Sequence, residues 1–333
     1  MNMAGQEIRR RIWTGMLLAS LLLLQPWSAA SAADRLQEIR LDYAYYSPAS
    51  LVIRRFGWLE QEFQPQGTTV RWVFTQGSNR SLEYLNGEAV DFGSTAGLAA
   101  LLGRANGNPI KAVYIFSRPE WTALVVPKDS PIRSVAELKG KKVAATKGTD
   151  PFLFLLRSLH QFGLRRDDVQ IVHLQHPDGR VALEQGKVDA WAGLDPHMAA
   201  SELEAGSRLI YRNLSFNTYG FLNVREAFAR SHPGELQRVL SIYEKARRWI
   251  LTHPEETAKI LSEEAHLPLA VAKVQLQRTD FSNPLPGKEH ADALRAAAPI
   301  LNDEGLVKQG IDLTRVIDEL IDPAPAKQVA TVK

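Results

Sequence analysis

The segment from Leu138 to Leu156 combines residue types that could bind a small anion. Its sequence, LKGKKVAATKGTDPFLFLL, predicts a strand at Lys142–Thr146, a turn, and a helix that starts at Asp150-Pro151. Asp is favoured as an N-cap and Pro at the first helical position. Such a turn directs free backbone N–H groups and the positive end of a helix dipole at whatever lies in front of it. Gly148 and Thr149 are therefore candidate anion-binding residues, and an ordinary capped helix is the alternative.

Three earlier stretches repeat this pairing of a polar donor with a helix start. The Ser47 hydroxyl precedes a predicted helix and could donate to an oxyanion, while the neighbouring Tyr46 could flank an alkyl chain. Capping and packing are the alternative roles of these two residues. Two later turns offer the same combination. Together the three turns supply the candidate binding residues Tyr46, Ser47, Gln76, Gly77, Ser78, Ser94 and Thr95.

Charged and aromatic residues near the ends of other predicted strands extend this set. Arg118 could neutralise an anion and Trp121 could form an apolar wall. The alternative for Arg118 is an ion pair with Glu120 or across a domain boundary. Asp195 could receive an ammonium group of a ligand, or it could cap the helix that Pro196 opens.

The apolar pattern alternates strands with helices along most of the chain. Predicted strands cover residues 38–43, 69–75, 89–93, 110–116 and 122–126, and a second series lies at residues 142–146, 169–173, 190–193 and 219–224. Regular alternation of this kind indicates parallel sheets with helical crossovers. Ligands in such folds bind at the carboxyl ends of the strands, which is where the candidate turns lie.

Two such series in 333 residues predict two lobes. We expect an α/β fold in which each lobe is a mostly parallel sheet flanked by helices, with the ligand cleft between the lobes. In this prediction residues 34–125 and 222–322 form the first lobe and residues 126–221 form the second. Residues 323–333, rich in Pro, Ala and Lys, form a loose tail. The lobes are expected to close on a small solute.

The first 33 residues have the pattern of a secretory signal peptide. A basic cluster at Arg9–Arg11 precedes the apolar run Ile12–Leu24, and Ala30–Ala32 offers small residues for cleavage. The apolar run is too short to cross a bilayer of ~30 Å. The whole chain carries a formal net charge of +3, of which this segment contributes +2. Charge therefore gives no reason to expect binding to nucleic acid or to a membrane surface.

The lack of cysteine and of familiar catalytic motifs narrows the function. Without Cys no disulfide can form and no N-terminal lipid can be attached through a thiol, so after export the periplasm is the expected location, and free secretion is the alternative. The sequence holds no HExxH, P-loop or GxSxG motif, and neither a metal nor a cofactor is expected. His173 and His176 are spaced for a metal only loosely, and we expect them in a surface turn.

Several motifs together resemble one known family. They are RRFGWLEQEF at Arg54–Phe63, VDFGSTAG at Val90–Gly97, SVAELKGKKVAATKGT at Ser134–Thr149 and DAWAGLDP at Asp189–Pro196. These stretches are similar to the periplasmic substrate-binding proteins of ABC importers for aliphatic sulfonates. The wider group also serves taurine, nitrate and thiamine-precursor pyrimidines. The resemblance covers nearly the whole chain after residue 33 and implies the two-lobed periplasmic binding-protein fold of type II.

The resemblance implies a binding protein rather than an enzyme. Such a protein captures an organic sulfonate in the periplasm as a monomer, without a cofactor, and delivers it to the permease of an ABC importer for sulfur acquisition. A sulfonate spreads one charge over three oxygens and suits several N–H and O–H donors, and its carbon tail suits apolar walls. Taurine, nitrate or a pyrimidine precursor as ligand are alternatives. A pyrimidine-precursor biosynthetic enzyme and a sensory module are further alternatives.

Overall fold

The structure of the protein is a computed structural model that describes residues 36–330. The predicted signal peptide lies outside the described residues, as do residues 331–333. Within residues 36–330, no helix has both the length and the apolar character needed to cross a membrane.

The described residues form eleven strands in two sheets. The strands are β1 (Glu38–Tyr43), β2 (Thr69–Phe74), β3 (Phe92–Ala96), β4 (Ile110–Pro119), β5 (Ala123–Val126), β6 (Lys142–Ala145), β7 (Gln170–His173), β8 (Ala190–Ala192), β9 (Arg208–Arg212), β10 (Gly220–Arg225) and β11 (Thr279–Asp280). The first sheet has the order β11-β4-β10-β3-β1-β2, and the second has the order β7-β6-β8-β5-β9.

Most strands of each sheet run in one direction. β1 pairs in parallel with β2 and β3, whereas β10 pairs antiparallel with both β3 and β4, so β1 to β4 share a direction that β10 and β11 oppose. In the second sheet β6 pairs in parallel with β7 and β8, and β5 runs against both of its neighbours. The predicted α/β fold with mostly parallel sheets is confirmed.

Fifteen helices of the described chain flank the sheets. They are α1 (Pro48–Phe56), α2 (Trp58–Phe63), α3 (Ser78–Asn86), α4 (Gly97–Ala105), α5 (Asp150–Gln161), α6 (His176–Glu184), α7 (His197–Ala205), α8 (Glu226–Ser231), α9 (Pro233–Thr252), α10 (Pro254–Ala265), α11 (Leu269–Gln277), α12 (Lys288–Ala297), α13 (Pro299–Asp303), α14 (Leu313–Leu320) and α15 (Ala324–Ala330). Short 3₁₀ turns lie at Gln64–Gln66, Val135–Leu138, Arg166–Asp168 and Leu214–Phe216.

The helix α5 illustrates why these segments fold as they do. Thr149 occupies its N-cap position and Pro151 lies in its first turn, where a missing N–H costs nothing. Its apolar side chains recur at helical spacing and are fully buried in the main core: Phe152, Leu155, Leu156 and Leu159. Each such side chain contributes about 1.5–3 kcal/mol on burial, so packing rather than helix propensity holds this helix in place.

In the described structure the chain crosses from one sheet to the other twice. Both crossings lie a few residues from the predicted boundaries between the lobes. β5 pairs with β8 and β9, so the first boundary lies before Ala123 and not after residue 125. β10 belongs to the first sheet from Gly220 onward, slightly before the predicted residue 222. Both shifts have one cause: sheet membership depends on hydrogen-bond partners distant in the sequence, which an apolar run does not specify.

The third strand lies three residues further along than predicted. The sequence predicts a strand at residues 89–93, whereas β3 covers Phe92–Ala96. The backbone N–H groups of Ala89 and Val90 both donate to the carbonyl oxygen of Tyr84 and so close the end of α3. Val90 therefore lies in the turn that ends α3 and not in the strand.

The prediction of a loose tail at residues 323–333 is wrong for residues 323–330, the part of it that the structure describes. Ala324–Ala330 form α15, which packs against α9 and β4, and its side chains Ala326 and Val329 are buried. The Asp322 N–H donates to the carbonyl oxygen of Ala112 at 3.0 Å and anchors the start of the segment. Small side chains that suggest a loop by composition here allow a helix to pack closely.

Candidate functional site

The carboxyl ends of strands from both sheets meet around two adjoining cavities. The larger cavity has a volume of about 170 Å³ and is lined by Tyr45, Tyr46, Phe74, Thr75, Gln76, Pro177, Leu194, Asp195, Pro196 and His197. The smaller cavity has a volume of about 10 Å³ and is lined by Tyr46, Ser78, Ala96, Trp121, Thr149, Asp150, Pro151, His176 and Leu194. Tyr46 and Leu194 line both, so the two cavities are neighbours.

Four helices begin at these cavities. α3, α5, α6 and α7 start at residues that line one cavity or the other: Ser78, Asp150, His176 and His197. A helix start has backbone N–H groups without partners inside the helix and carries a partial positive charge. At α7 the N–H groups of Met198 and Ala199 already donate to the Leu194 carbonyl oxygen and to the Asp195 carboxylate. None of the described residues that line the cavities is Lys or Arg. Within residues 36–330, no cluster of three or more His, Asp or Glu residues is arranged to hold a metal ion.

Tyr46 lies between the two cavities, with Ser47 behind it. The Tyr46 hydroxyl donates to the carbonyl oxygen of Ser94 at 2.9 Å, and its ring meets that of Trp121 edge-on at a centroid distance of 5.9 Å. Ser47 is fully buried, its Oγ lies 3.4 Å from the Oγ of Ser94, and it lines neither cavity. Tyr46 therefore offers a ligand the wall of its ring, whereas Ser47 belongs to the start of α1.

A buried carboxylate holds the turns of the first sheet together. Both oxygens of Asp42 accept from the Ser94 N–H at 2.9 Å, and one also accepts from the Thr75 hydroxyl at 3.0 Å. Burial raises the pKa of Asp42 to about 6, and these hydrogen bonds oppose the rise. The Thr75 proton is thus committed to a protein acceptor and is not offered to a ligand.

Ser94 and Thr95 lie inside β3 and line neither cavity. Both are fully buried, and the Thr95 hydroxyl oxygen accepts from the Asn223 side-chain amide at 2.8 Å. The prediction of a third ligand-facing turn at these residues is wrong. Because the strand begins later than expected, the two residues pair with β10 within the sheet.

The turn between β2 and α3 contacts both cavities. Gln76 lines the larger cavity and Ser78 the smaller, where the Ser78 Oγ accepts from the Ala96 N–H at 3.0 Å. At Gly77 a Cβ atom would lie only 2.9 Å from Nε2 of His176. The absence of a side chain at Gly77 therefore permits the turn between β2 and α3 to lie close to the start of α6.

Arg118 does not line either of the two cavities. It is exposed on β4, and its guanidinium lies 5.6 Å from the ring centroid of Tyr219. Glu120 pairs instead with Arg212 at 2.6 Å. The predicted local ion pair is therefore wrong, and the anion contact of Arg118 stays a prediction.

The Asp150 carboxylate ties both connecting segments between the sheets to α5. Its oxygens accept from Nε1 of Trp121 at 3.0 Å, from the Thr218 N–H at 2.9 Å and from the Thr218 hydroxyl at 2.8 Å. Burial raises the pKa of Asp150, and these hydrogen bonds oppose the rise. Asp150 was expected as the N-cap, but it is the first helical residue and its carboxylate bridges three donors. Trp121 is held by this bond as a wall of the smaller cavity.

The turn before α5 reaches the smaller cavity through Thr149. Gly148 adopts a φ of +79°, in the left-handed region that favours glycine. The Thr149 hydroxyl donates to the carbonyl oxygen of Thr146 at 2.7 Å, so its proton is used within the protein. The backbone N–H groups of this turn, and not the Thr149 hydroxyl, are therefore the donors that could bind a ligand.

Asp195 lines the larger cavity and also caps a helix. Its Oδ1 accepts from the Ala199 N–H at 2.9 Å, and Nη1 of Arg278 lies 3.4 Å from each carboxylate oxygen. Burial raises the pKa of Asp195 to about 7, and Arg278 opposes the rise. Arg278 also bonds Glu202 on α7 at 2.6 Å, so it links the chain after α11 to the second sheet. From this position Asp195 caps α7, as one prediction had it, and its place in the cavity lining is compatible with the other, contact with an ammonium group of a ligand.

His176 is a cavity residue that the sequence prediction missed. We expected it in a surface turn, but it is fully buried and starts α6. The signal was present, because His176-Pro177 follows β7 as Asp150-Pro151 follows β6. The other lining residues that were not predicted as binding residues are Tyr45, Phe74, Thr75, Ala96, Asp150, Pro151, Pro177, Leu194, Pro196 and His197.

Comparison with known families identifies the chain. The profile described as NMT1/THI5 like matches residues 60–257, which is more than half of the chain. The chain belongs to the NMT1/THI5-like family. The matched residues include the whole second sheet and most of the lining of both cavities.

Individual relatives are similar over most of their length. A Bacillus subtilis protein, whose name assigns it provisionally to aliphatic sulfonate binding, is 29% identical over 309 residues, covering 91% of this chain and 93% of its own. The alkanesulfonate-binding protein SsuA from Xanthomonas axonopodis pv. citri, solved bound to MOPS, matches with a TM-score of 0.78 and 25% identity over 86% of this chain and 98% of that one. The periplasmic aliphatic sulphonate binding protein SsuA from Escherichia coli matches with a TM-score of 0.73 and 28% identity over 86% and 92%. The resemblance and the two-lobed fold are confirmed.

Proposed function

We propose that the protein binds an organic sulfonate between its two sheets and delivers it to an ABC importer. The observation that carries the proposal is the convergence of four helix N-termini on two cavities lined by neither Lys nor Arg in the described chain. Helix N-termini favour an anion that has several acceptor oxygens. Aromatic and aliphatic side chains in the same cavities, such as Phe74 and Leu194, suit a carbon skeleton.

The relatives support a binding protein rather than an enzyme. Their names describe binding of aliphatic sulfonates or alkanesulfonates, and one of them is named as periplasmic. The proposal therefore includes export to the periplasm by the signal peptide predicted at residues 1–33 and action as a monomer. Nitrate suits the site less well, because the apolar walls would face an ion that has no carbon skeleton.

A thermal-shift screen tests the proposal. The chain from residue 34 would be unfolded and refolded to remove carried-over ligand. It would then be mixed with short and long alkanesulfonates, taurine, sulfate, nitrate and an aminopyrimidine. A ligand at 100 times its dissociation constant stabilises a protein by ~2.7 kcal/mol, which gives a clear shift of the melting temperature. A response to sulfonates alone is expected. A response only to a solute without a sulfonate group would contradict the proposed ligand.

A pair of variants tests the location of the site. Leu194 lines both cavities and is buried, whereas Leu203 on α7 is 52% exposed. Leu194→Glu places a second carboxylate beside the expected anion and should abolish binding. Leu203→Glu adds the same charge away from the cavities and should leave binding unchanged. Equal affinities of the two variants would place the ligand elsewhere.

A further inference from the structure

His176 lines the smaller cavity and has a buried hydrogen-bonding atom without a partner in the described chain. Its side chain is fully buried and lines that cavity. Within the described chain no protein atom forms a hydrogen bond with its Nε2, and this atom faces the turn at Gly77 on the opposite side of the cleft. A buried polar atom without a protein partner is uncommon and calls for a partner from outside the chain.

The other ring nitrogen decides whether Nε2 donates or accepts. Nδ1 of His176 lies 3.2 Å from the Thr146 hydroxyl oxygen, and that hydroxyl donates its one proton to the carbonyl oxygen of Leu174 at 2.7 Å. Thr146 can therefore only accept from the ring, so Nδ1 carries the proton and Nε2 presents a lone pair. Burial lowers the pKa of His176 to about 3, which keeps the ring neutral at neutral pH.

Asp195 supplies a second acceptor, in the larger cavity. Its Oδ1 accepts from the Ala199 N–H, whereas its Oδ2 has a contact of 3.4 Å with Arg278. A carboxylate has about four acceptor positions, so this group retains capacity towards the cavity. Both acceptors come from the second sheet, and they stand among helix N-termini that suit an anion.

A ligand with a purely aliphatic tail does not match these acceptors. Closure over such a tail would bury lone pairs without donors, which is unfavourable. Sites with buried hydrogen-bonding groups discriminate strongly against ligands that lack the matching group. The smaller cavity, about 10 Å³, has room for about one group of the size of a water molecule, such as a hydroxyl or an ammonium.

We propose that the sulfonate bound by this protein carries an N–H or O–H donor, and that Nε2 of His176 accepts a hydrogen bond from it. This inference rests on the proposed function and narrows the ligand from alkanesulfonates in general to hydroxy- or aminosulfonates. The helix N-termini interact with the sulfonate oxygens. His176, with Asp195 as the second acceptor, recognises the substituent.

Calorimetric titration with three ligands of nearly equal size tests the inference. They are propane-1-sulfonate, 2-hydroxyethanesulfonate and 2-aminoethanesulfonate, which differ in a terminal methyl, hydroxyl or ammonium group. The wild-type chain should bind at least one of the latter two about tenfold or more tightly than propane-1-sulfonate. His176→Leu removes one of the two acceptors and should reduce the preference at least threefold. His176→Gln keeps an acceptor oxygen and should retain part of it. Nitrogen NMR of the ring should show Nε2 unprotonated with and without ligand.

The outcomes separate this inference from the proposed function. Equal affinity for all three sulfonates would overturn the inference and leave sulfonate binding intact, with a water molecule as the partner of Nε2. A protonated Nε2 in the complex would also overturn it, because the ring would then donate to the anion. Failure of every sulfonate to bind would overturn the proposed function itself. The wild-type titrations and the NMR spectrum decide the question even if His176→Leu does not fold.

Discussion

Replacement of Gly77 by alanine should weaken ligand binding by holding the two lobes apart. A Cβ atom at Gly77 would lie 2.9 Å from Nε2 and 3.1 Å from Cδ2 of His176, and 3.1 Å from Oδ1 of Asn79. The φ of −176° at Gly77 is extended and open to alanine, so the substitution strains this contact and not the backbone. The turn of the first sheet and the helix start of the second must then separate.

The magnitude follows from the packing of His176. Its ring is buried and Nδ1 is held by Thr146, so it has little freedom to move away. One extra methyl group in a closely packed contact costs about 1–3 kcal/mol. This cost falls on the closed form that binds the ligand, so the dissociation constant should rise about 5- to 150-fold. An open form without ligand lacks the contact, and its melting temperature should change little.

Titration calorimetry of both proteins with the same sulfonate measures the effect. Gly234→Ala is the control for binding, because a Cβ atom at Gly234 has no neighbour within 4 Å among residues 36–330. Melting curves without ligand complete the comparison. An unchanged dissociation constant for Gly77→Ala would refute closure through this contact. A lower melting temperature of the ligand-free variant, relative to the wild type, would show that the contact persists without ligand and would equally contradict the reasoning.

Three further changes test buried groups around the cleft and at the end of the chain. The pKa of His176 is about 3 in the folded protein, below the usual 6.5 of an unfolded chain. Below pH 6.5 the unfolded chain therefore binds a proton that the folded protein does not bind. The free energy of unfolding is highest above pH 6.5 and decreases as the pH falls. Between pH 7 and pH 5 the wild type should lose about 2 kcal/mol more than His176→Gln in urea unfolding, since other titrating groups cancel in the difference. Asp150→Asn leaves three donors facing one acceptor and should lower the free energy of unfolding by about 1–3 kcal/mol, and an unchanged value would contradict the bridging role. Deletion of the residues after Asp322 removes the buried side chain of Val329 and should cost about 1–3 kcal/mol, whereas a loose tail would leave stability unaltered.

Sequence patterns predicted the elements best where apolar periodicity and helix-end signals agree. The helix at Asp150-Pro151 has both, and α5 begins there. The third strand has only an apolar run, part of which completes the end of α3, so its prediction was displaced by three residues. The tail at Ala324–Ala330 shows the opposite error, because composition alone cannot reveal a packing partner.

At the candidate site, position at the end of a strand predicted the cavity residues better than residue type did. Tyr46, Ser78 and Thr149 come to the cavities because each lies at the carboxyl end of a strand, which the α/β pattern already located. Ser94 and Arg118 have the right chemistry but occupy a strand interior and an exposed position. Residue type alone therefore did not identify which side chains reach the cleft.

By itself, the sequence determined the α/β alternation, the helix starts and the family, because periodicity, caps and motifs act within a few residues of one another. The tertiary structure alone decided which strand ends face each other and which polar groups are already paired. The Thr75 hydroxyl donates to Asp42 and the Trp121 indole N–H donates to Asp150, whereas Nε2 of His176 has no protein partner in the described chain. These pairings join residues far apart in the sequence, and they form only when the strands assemble into sheets and the two sheets meet.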